Sequence, residues 1–377
     1  MKNFWIRITA FLVTIVVLGG TIELAIHHYD PTRVIYRRLK APDKYLYEEI
    51  DPALTRQKPG RMIDQDVIAA PNAVRAELVT MIWGPTGVPN TDTPINVKVR
   101  VDGQLGVLPQ GTIVTRLDFN LGLGLTSNPY LLESPDGNNR LIVYHHGFGA
   151  PIKTASHFLA ALIDSGFDVV AVNALGHGGT LAFVDSNQAG ILPHARHKQK
   201  SNIFHEMSDF DRPLRYHLRP IYGAIDYARR KKSYRSVDVA GFSMGAFFAT
   251  LLAALDPTIE RSYPIAGVLP NYLRRGQEIM PDGPPSYPPL MDIANHLELF
   301  VLGASGEDRR QLQVFNRYDR CCFNGIRSNI YKAAIQNAVH QSSAKGRFDV
   351  LLDETHADHR ISQFATNAIV KDLTHNR

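Results

Sequence analysis

The hydrophobic pattern begins with a run that has no polar face. Ile8 to Ile22 (ITAFLVTIVVLGGTI) is uncharged, Glu23 closes it, and Leu24-Ala25-Ile26 extend its apolar character. Lys2 and Arg7 precede it. The run suits the apolar region of a signal peptide, though it is slightly long for one. From Phe4 to Ile26, with Arg7 reaching back to the interface, it is also long enough to span a bilayer. No small-x-small cleavage site follows and no lipobox cysteine is present. We therefore favour an uncleaved membrane anchor over a cleaved signal. Either reading exports the body to the periplasmic or extracellular side. Arg33, Arg37, Arg38 and Lys40 put positive charge beyond the run as well, so charge alone does not orient it.

Residues 30–90 are mixed and proline-punctuated, without strong periodicity, and read as an extension or linker between segment 1–29 and a main domain at 91–377. Ile95–Val101 alternates with period two, and Gly111–Asn120 does so more loosely. A glycine-containing turn between them predicts two antiparallel strands. LGLGL at Leu121–Leu125 is too rich in glycine for a confident strand. Leu141–Tyr144 and Phe167–Val172 are continuous apolar runs, as in strands buried on both faces. Ser156–Gly166, between them, has helical spacing. Strand, helix, strand with short turns is a βαβ unit, hence a parallel sheet.

Arg212–Lys232 predicts a long helix feeding a strand at Val237–Ala240. Further strands are expected at Pro264–Leu269, Leu297–Leu302 and Phe348–Leu352, and helices near Ser328–Gln341 and Ile361–Leu373. Two irregular excursions interrupt the pattern, at residues 181–208 and 271–296. The second contains MPDGPPSYPPLMD, too rich in proline for regular structure.

Composition changes this picture little. In 377 residues, 44% hydrophobic and 20% charged describe an ordinary globular core. The net charge is +5. The basic clusters at His194–Lys200 and Arg229–Lys232 lack any nucleic-acid motif and read as solvated surface. The two cysteines, Cys321 and Cys322, are adjacent. A disulfide between neighbours needs a distorted peptide and is not expected. No metal-site spacing is present, and no metal or organic cofactor is implied.

The chemistry centres on VDVAGFSMGAFFATL at Val237–Leu251: a strand, then Gly241-Phe242-Ser243-Met244-Gly245, then a small and apolar helix. A serine on so sharp a turn needs a strained backbone and near-naked neighbours at Gly241 and Gly245. The turn lifts its hydroxyl above the sheet edge, over a helix N-terminus that favours developing negative charge.

With an earlier strand ending in His146-Gly147, and with a serine, then acid, then histidine order, residues from about Ile95 to the C-terminus resemble the α/β-hydrolase family. The resemblance implies a mostly parallel central sheet flanked by helices, with antiparallel strands at its start and a lid insertion. Residues 181–208 and 271–296 are the lid candidates. It also implies Ser243 as nucleophile, with backbone N–H groups of Met244 and Phe148 as oxyanion hole. The base is His356 or His359, both after the last strand, with His356 preferred. The acid should follow the penultimate strand. Asp308 is preferred there, Glu307 is the alternative, and Asp319 and Asp282 are weaker ones. His177 reads as a turn residue near the pocket floor. His145, Tyr144 and Phe242 read as core.

This points to a serine hydrolase of a small-molecule carboxylic ester, acting through an acyl-enzyme, with the membrane as partner through the N-terminal segment. A peptidase or acyltransferase on the same fold, and a tethered binding protein without turnover, are the competing readings.

Overall fold

A computed structural model describes residues 2–40, 50–89, 93–100, 105–122, 125–148, 150–175, 211–280 and 283–375. The excursion at 181–208, His177 and Asp282 lie outside the described residues.

The first apolar run forms one helix, α1 (Lys2–His28), whose membrane-length portion Phe4–His28 contains no fully buried residue, with Ala25 and Ile26 half-buried at its end. Residues 30–83 carry more order than their weak periodicity suggests. They form α2 (Asp30–Leu39), α3 (Pro52–Thr55), α4 (Gln65–Ala69) and α5 (Pro71–Trp83). Val67, Leu78 and Ile82 are buried in the same core as the sheet. Arg75 donates to the carbonyls of Ala254 (3.1 Å) and Leu302 (2.7 Å).

Ten strands form the sheet: β1 (Asn96–Val99), β2 (Ile113–Gly122), β3 (Leu125–Ser127), β4 (Tyr130–Glu133), β5 (Arg140–His145), β6 (Asp168–Val172), β7 (Ser236–Phe242), β8 (Ile259–Ile265), β9 (Arg310–Asn316) and β10 (Arg347–Asp353). Their order is β1-β2-β4-β6-β5-β7-β8-β9-β10, with β3 paired to β2. The pairs β1/β2, β2/β4 and β4/β6 are antiparallel, and β6 through β10 are parallel. The glycine-rich LGLGL segment joins β2 to β3.

The strand sequences explain the layers. Leu141, Val143, Val170 and Val172 enter one core, while Ile142, Tyr144, Val169 and Ala171 enter the other. Both faces are covered, so alternation in direction produces an unbroken apolar run. On the first face lie α7 (Leu214–Lys231), α8 (Met244–Leu255), α10 (His296–Ala304) and α11 (Lys332–Ser342), together with α5. On the second lie α6 (Ser156–Asp164) and α12 (Gln363–His375). Every residue of α8 is buried.

The strand expected at Pro264–Leu269 lies earlier, as β8 at Ile259–Ile265, and two further expectations fail here. Leu297–Leu302 is helix, not strand. Asn295 caps α10, its side chain accepting from the N–H of Leu297, and Glu298 closes the box by accepting from the N–H of Asn295 (2.7 Å). The strand in this region is β9 instead, with Gln311 and Gln313 buried inside it. Gln311 donates to Ser262 Oγ (3.1 Å), and Gln313 accepts from the hydroxyl of Tyr331 (2.7 Å). Secondly, residues 271–296 are regular in short pieces: three 3-10 turns and α9 (Pro288–Ile293).

Candidate active site

Ser243 sits between the end of β7 and the first residue of α8, with φ 56° and ψ −120°. This left-handed conformation costs a non-glycine residue on the order of 1–3 kcal/mol, so the surroundings must hold it. They do so by close packing of backbone. A Cβ on Gly241 would stand 1.9 Å from the carbonyl oxygen of Gly245, and one on Gly245 would stand 2.0 Å from that of His145. Neither clash involves a side chain that moves aside. The N–H of Ser243 donates to Ile265 O (2.8 Å), and its carbonyl accepts from Ala246 N (2.9 Å).

The loop after β5 closes against this turn. A Cβ on Gly147 would meet Ser243 Cβ at 2.8 Å and Phe242 O at 3.0 Å. That approach carries Phe148 into the cavity wall beside Met244, the N1 residue of α8. His145 and His146 support the loop from within. His145 stacks on Phe248, with 4.6 Å between ring centroids, and its Nδ1 donates to His146 O (2.8 Å). His146 Nδ1 lies 2.7 Å from the hydroxyl of Tyr144, and its Nε2 lies 3.2 Å from Thr154 Oγ1. Burial pushes both imidazoles down to about 4, so both are neutral at pH 7.

The two candidate histidines have different surroundings. His356 is fully buried behind the end of β10. Its Nδ1 accepts from the N–H of Asp358 (3.2 Å), and its Nε2 lies 3.3 Å from Asp353 Oδ2, off the line of a hydrogen bond. His359 lines the same cavity as Ser243. Its Nδ1 bonds Asp319 Oδ2 at 2.6 Å, and its ring packs on Phe242 at 4.7 Å. The geometry therefore brings Ser243 together with His359, and not with the preferred His356.

The acids separate in the same way. Asp308 and Glu307 are exposed on the turn that enters β9, and Glu307 pairs with Lys345 (3.2 Å). Asp308 was expected after a strand at Leu297–Leu302. With that segment helical, Asp308 lies at the N-terminal end of β9, the opposite edge of the sheet from Ser243. Asp319 lies just past the C-terminal end of β9, where open parallel sheets place their chemistry. It is fully buried and accepts from the N–H of Cys321 (2.7 Å). Sequence reasoning ranked it low because the two glutamines hid β9. A buried carboxylate on Nδ1 leaves Nε2 of His359, 4.0 Å from Cys322 Sγ, able to accept a proton.

The cavity measures about 250 Å³. Phe148, Met244, Phe247, Val268, Met280, Pro285 and Phe323 make its wall apolar. The segment 271–296 contributes Arg274, Glu278, Met280 and Pro285. It is pinned by Glu278, which takes both ends of the buried Arg327 guanidinium at 2.6 and 2.7 Å. Arg274 donates to Leu269 O (2.7 Å) and to Nε2 of His296 (2.6 Å), and burial lowers it to about 10.

Cys321 and Cys322 also line the cavity, joined as a disulfide despite the expectation against one. The turn that holds them is set by its own bonds, Gly325 N to Arg317 O (2.9 Å) and Cys321 N to Asp319, so the adjacent side chains meet without needing a longer loop. With His359 they form the one group of metal-ligand spacing found among the described residues. As a disulfide the sulfurs carry no thiolate, the form that binds a metal.

The fold and this site define a class. The model of the alpha/beta hydrolase family matches residues 142–359, more than half of the chain, and the chain belongs to that family. No curated protein matches it. Solved structures do, at low identity. Methylesterase BT1017 is 16% identical with a TM-score of 0.59, over 88% of this chain and 70% of that one. An acetyl xylan esterase from Paenibacillus sp. R4 is 15% identical with a TM-score of 0.53, over 86% and 99%. Acetyl xylan esterase 1 from Thermoanaerobacterium sp. JW/SL YS485 is 14% identical with a TM-score of 0.52, over 87% and 99%. At such identities the likeness is one of fold.

Proposed function

We propose that the chain is a serine hydrolase of carboxylic esters in which Ser243 is the nucleophile, His359 the general base and Asp319 the orienting acid. The observation that carries this reading is the 2.6 Å bond from His359 Nδ1 to buried Asp319, with the imidazole in the wall of the cavity that holds Ser243. Serine is a poor nucleophile unless a base within reach takes its proton. Here Nε2 of His359 takes it as Oγ attacks the ester carbonyl. The oxyanion is received by the N–H groups of Met244 and Phe148. Collapse expels the alcohol, which leaves with the proton from His359, and water then cleaves the acyl-enzyme by the same route.

A cavity of about 250 Å³ with an apolar wall suits a small acyl or alcohol group. The structures of similar fold are named as acetyl and methyl esterases, which agrees with that size. We also read α1 as a membrane anchor, on its length and its largely exposed apolar surface.

Labelling of the purified protein by a fluorophosphonate probe tests the reading. We expect the wild type to label and Ser243→Ala not to. We expect hydrolysis of a p-nitrophenyl ester to fall by about 10⁴-fold in the variant. A folded wild type that neither labels nor hydrolyses short esters would refute it in favour of a binding role.

A further inference from the structure

A second cavity, of about 330 Å³, lies where α1 and α2 meet the body. Its wall includes Ile26 and His27 from the last turn of α1, Arg33 and Arg37 from α2, and Arg320 and Asp358 from the body. We propose that it binds a phosphate group, and that the phosphate is the headgroup of an anionic phospholipid. This rests on the reading of α1 as a membrane anchor.

The charge balance comes first. Asp358 is bonded by Arg33, and Asp30 holds Arg360 (2.6 Å) while lying 3.6 Å from Arg33. Among the described residues, Asp358 is the carboxylate in the cavity wall, and Asp30 lies outside it. Among the described residues, Arg320 reaches the same Asp358, at 3.9 Å. Arg37 has no hydrogen bond or ion pair among the described residues, and its Nε is shielded from solvent without a partner. Three guanidinium groups, of Arg33, Arg37 and Arg320, thus share the cavity wall with one carboxylate, Asp358. Arg37 lines the cavity without an acceptor among the described residues, and a phosphate oxygen supplies one in the geometry that arginine favours.

The depth of the site comes second. The 25 residues from Phe4 to His28 rise about 37 Å as a helix, against a hydrocarbon layer of about 30 Å. The last turn of α1 therefore emerges in the headgroup layer, and the cavity built on Ile26 and His27 opens at the level of lipid phosphates. The charge also selects among lipids. The one carboxylate in the wall, Asp358, is committed to Arg33, so none is left for the ammonium of a choline headgroup. A headgroup with net negative charge fits better.

The test uses the full-length protein in neutral detergent, titrated below micellar concentrations with dihexanoyl phosphatidylglycerol, dihexanoyl phosphatidylcholine or inorganic phosphate. Binding is read by calorimetry and by the shift in Tm. We expect saturable binding of the glycerol lipid, weakened about tenfold by Arg37→Gln and by Arg320→Gln. Arg229→Gln, in the exposed basic end of α7, should leave it unchanged. Equal affinity for the choline lipid, or no effect of Arg37→Gln, would overturn the site. Equal affinity for inorganic phosphate would overturn the lipid as its source. The anchor reading is checked separately by intact mass, since titration with a soluble lipid needs no insertion. A mature chain that lacks α1 would refute the anchor, and the cavity with it.

Discussion

At the scale of single residues, three positions separate two histidines with opposite surroundings. His359 keeps part of its ring in the cavity and has one nitrogen fixed by Asp319, whereas His356 is wholly enclosed and fixes the backbone of Asp358. Removing each should therefore cost different things. His359→Asn should lower kcat for a short ester by about 10⁴-fold while leaving the urea midpoint nearly unchanged. His356→Asn should cost about 1–3 kcal/mol of stability with kcat largely retained. The reverse pattern would return the base to His356. Nothing in the spacing of THADH separated these two, because both fall on a short loop after the last strand. Burial and partners separated them.

The element that positions His359 is the loop between β10 and α12, and Asp353 is its fastening. Its Oδ1 accepts from the N–H (2.9 Å) and hydroxyl (2.7 Å) of Thr355, and its Oδ2 from the hydroxyl of Ser362, so one carboxylate ties both ends of the loop. Burial opposes ionisation of Asp353, but the adjacent His356 ring and the bonds from Ser362 and Thr355 together outweigh it and hold the carboxyl down at about 2. A carboxyl held below its ordinary 3.8 stabilises the fold fully above that value and ceases to do so as pH falls through about 2. Urea unfolding should accordingly show a loss of about 2 kcal/mol between pH 4 and pH 2 in the wild type. Asp353→Asn should start lower at pH 7 and lack that acid step. An unchanged step in the variant would place its origin in another carboxylate. The capping box Asn295–Glu298 carries a similar lesson for α10. A signal for a helix start stood before LELFVL, but a short stretch apolar at five of its six positions fits a strand equally well.

Over the whole molecule, α1 stands apart from the body while α2 is bound to it. No residue of α1 between Phe4 and His28 is fully buried, and it is the last turn, at Ile26 and His27, that reaches the cavity shared with the body. Val34 of α2 packs by Tyr318 and Ala357, and Arg38 lies 5.9 Å over the ring of Tyr318. A chain beginning at Asp30 should thus keep the Tm of the full protein in detergent and move to the aqueous phase on detergent phase separation, while the full chain stays with detergent. A large drop in Tm would mean that α1 supports the body.

What the sequence determined by itself is what local sterics and periodicity dictate. Strands buried on both faces must be continuously apolar, and Gly241-Phe242-Ser243-Met244-Gly245 must be a tight turn, since any Cβ at its two glycines would enter neighbouring backbone. The family, the central sheet and Ser243 on its turn were legible on those grounds. The tertiary structure decided which groups surround the serine. That choice depends on which end of each strand a side chain leaves from, and such ends become known only once the strands are in order. Asp308 and Asp319 flank the same strand and differ only in that respect. β9 could not be read as a strand because its buried glutamines are satisfied by Ser262 and Tyr331, which lie 49 and 18 residues away along the chain. The partners that make a polar residue acceptable in a core are themselves products of the fold.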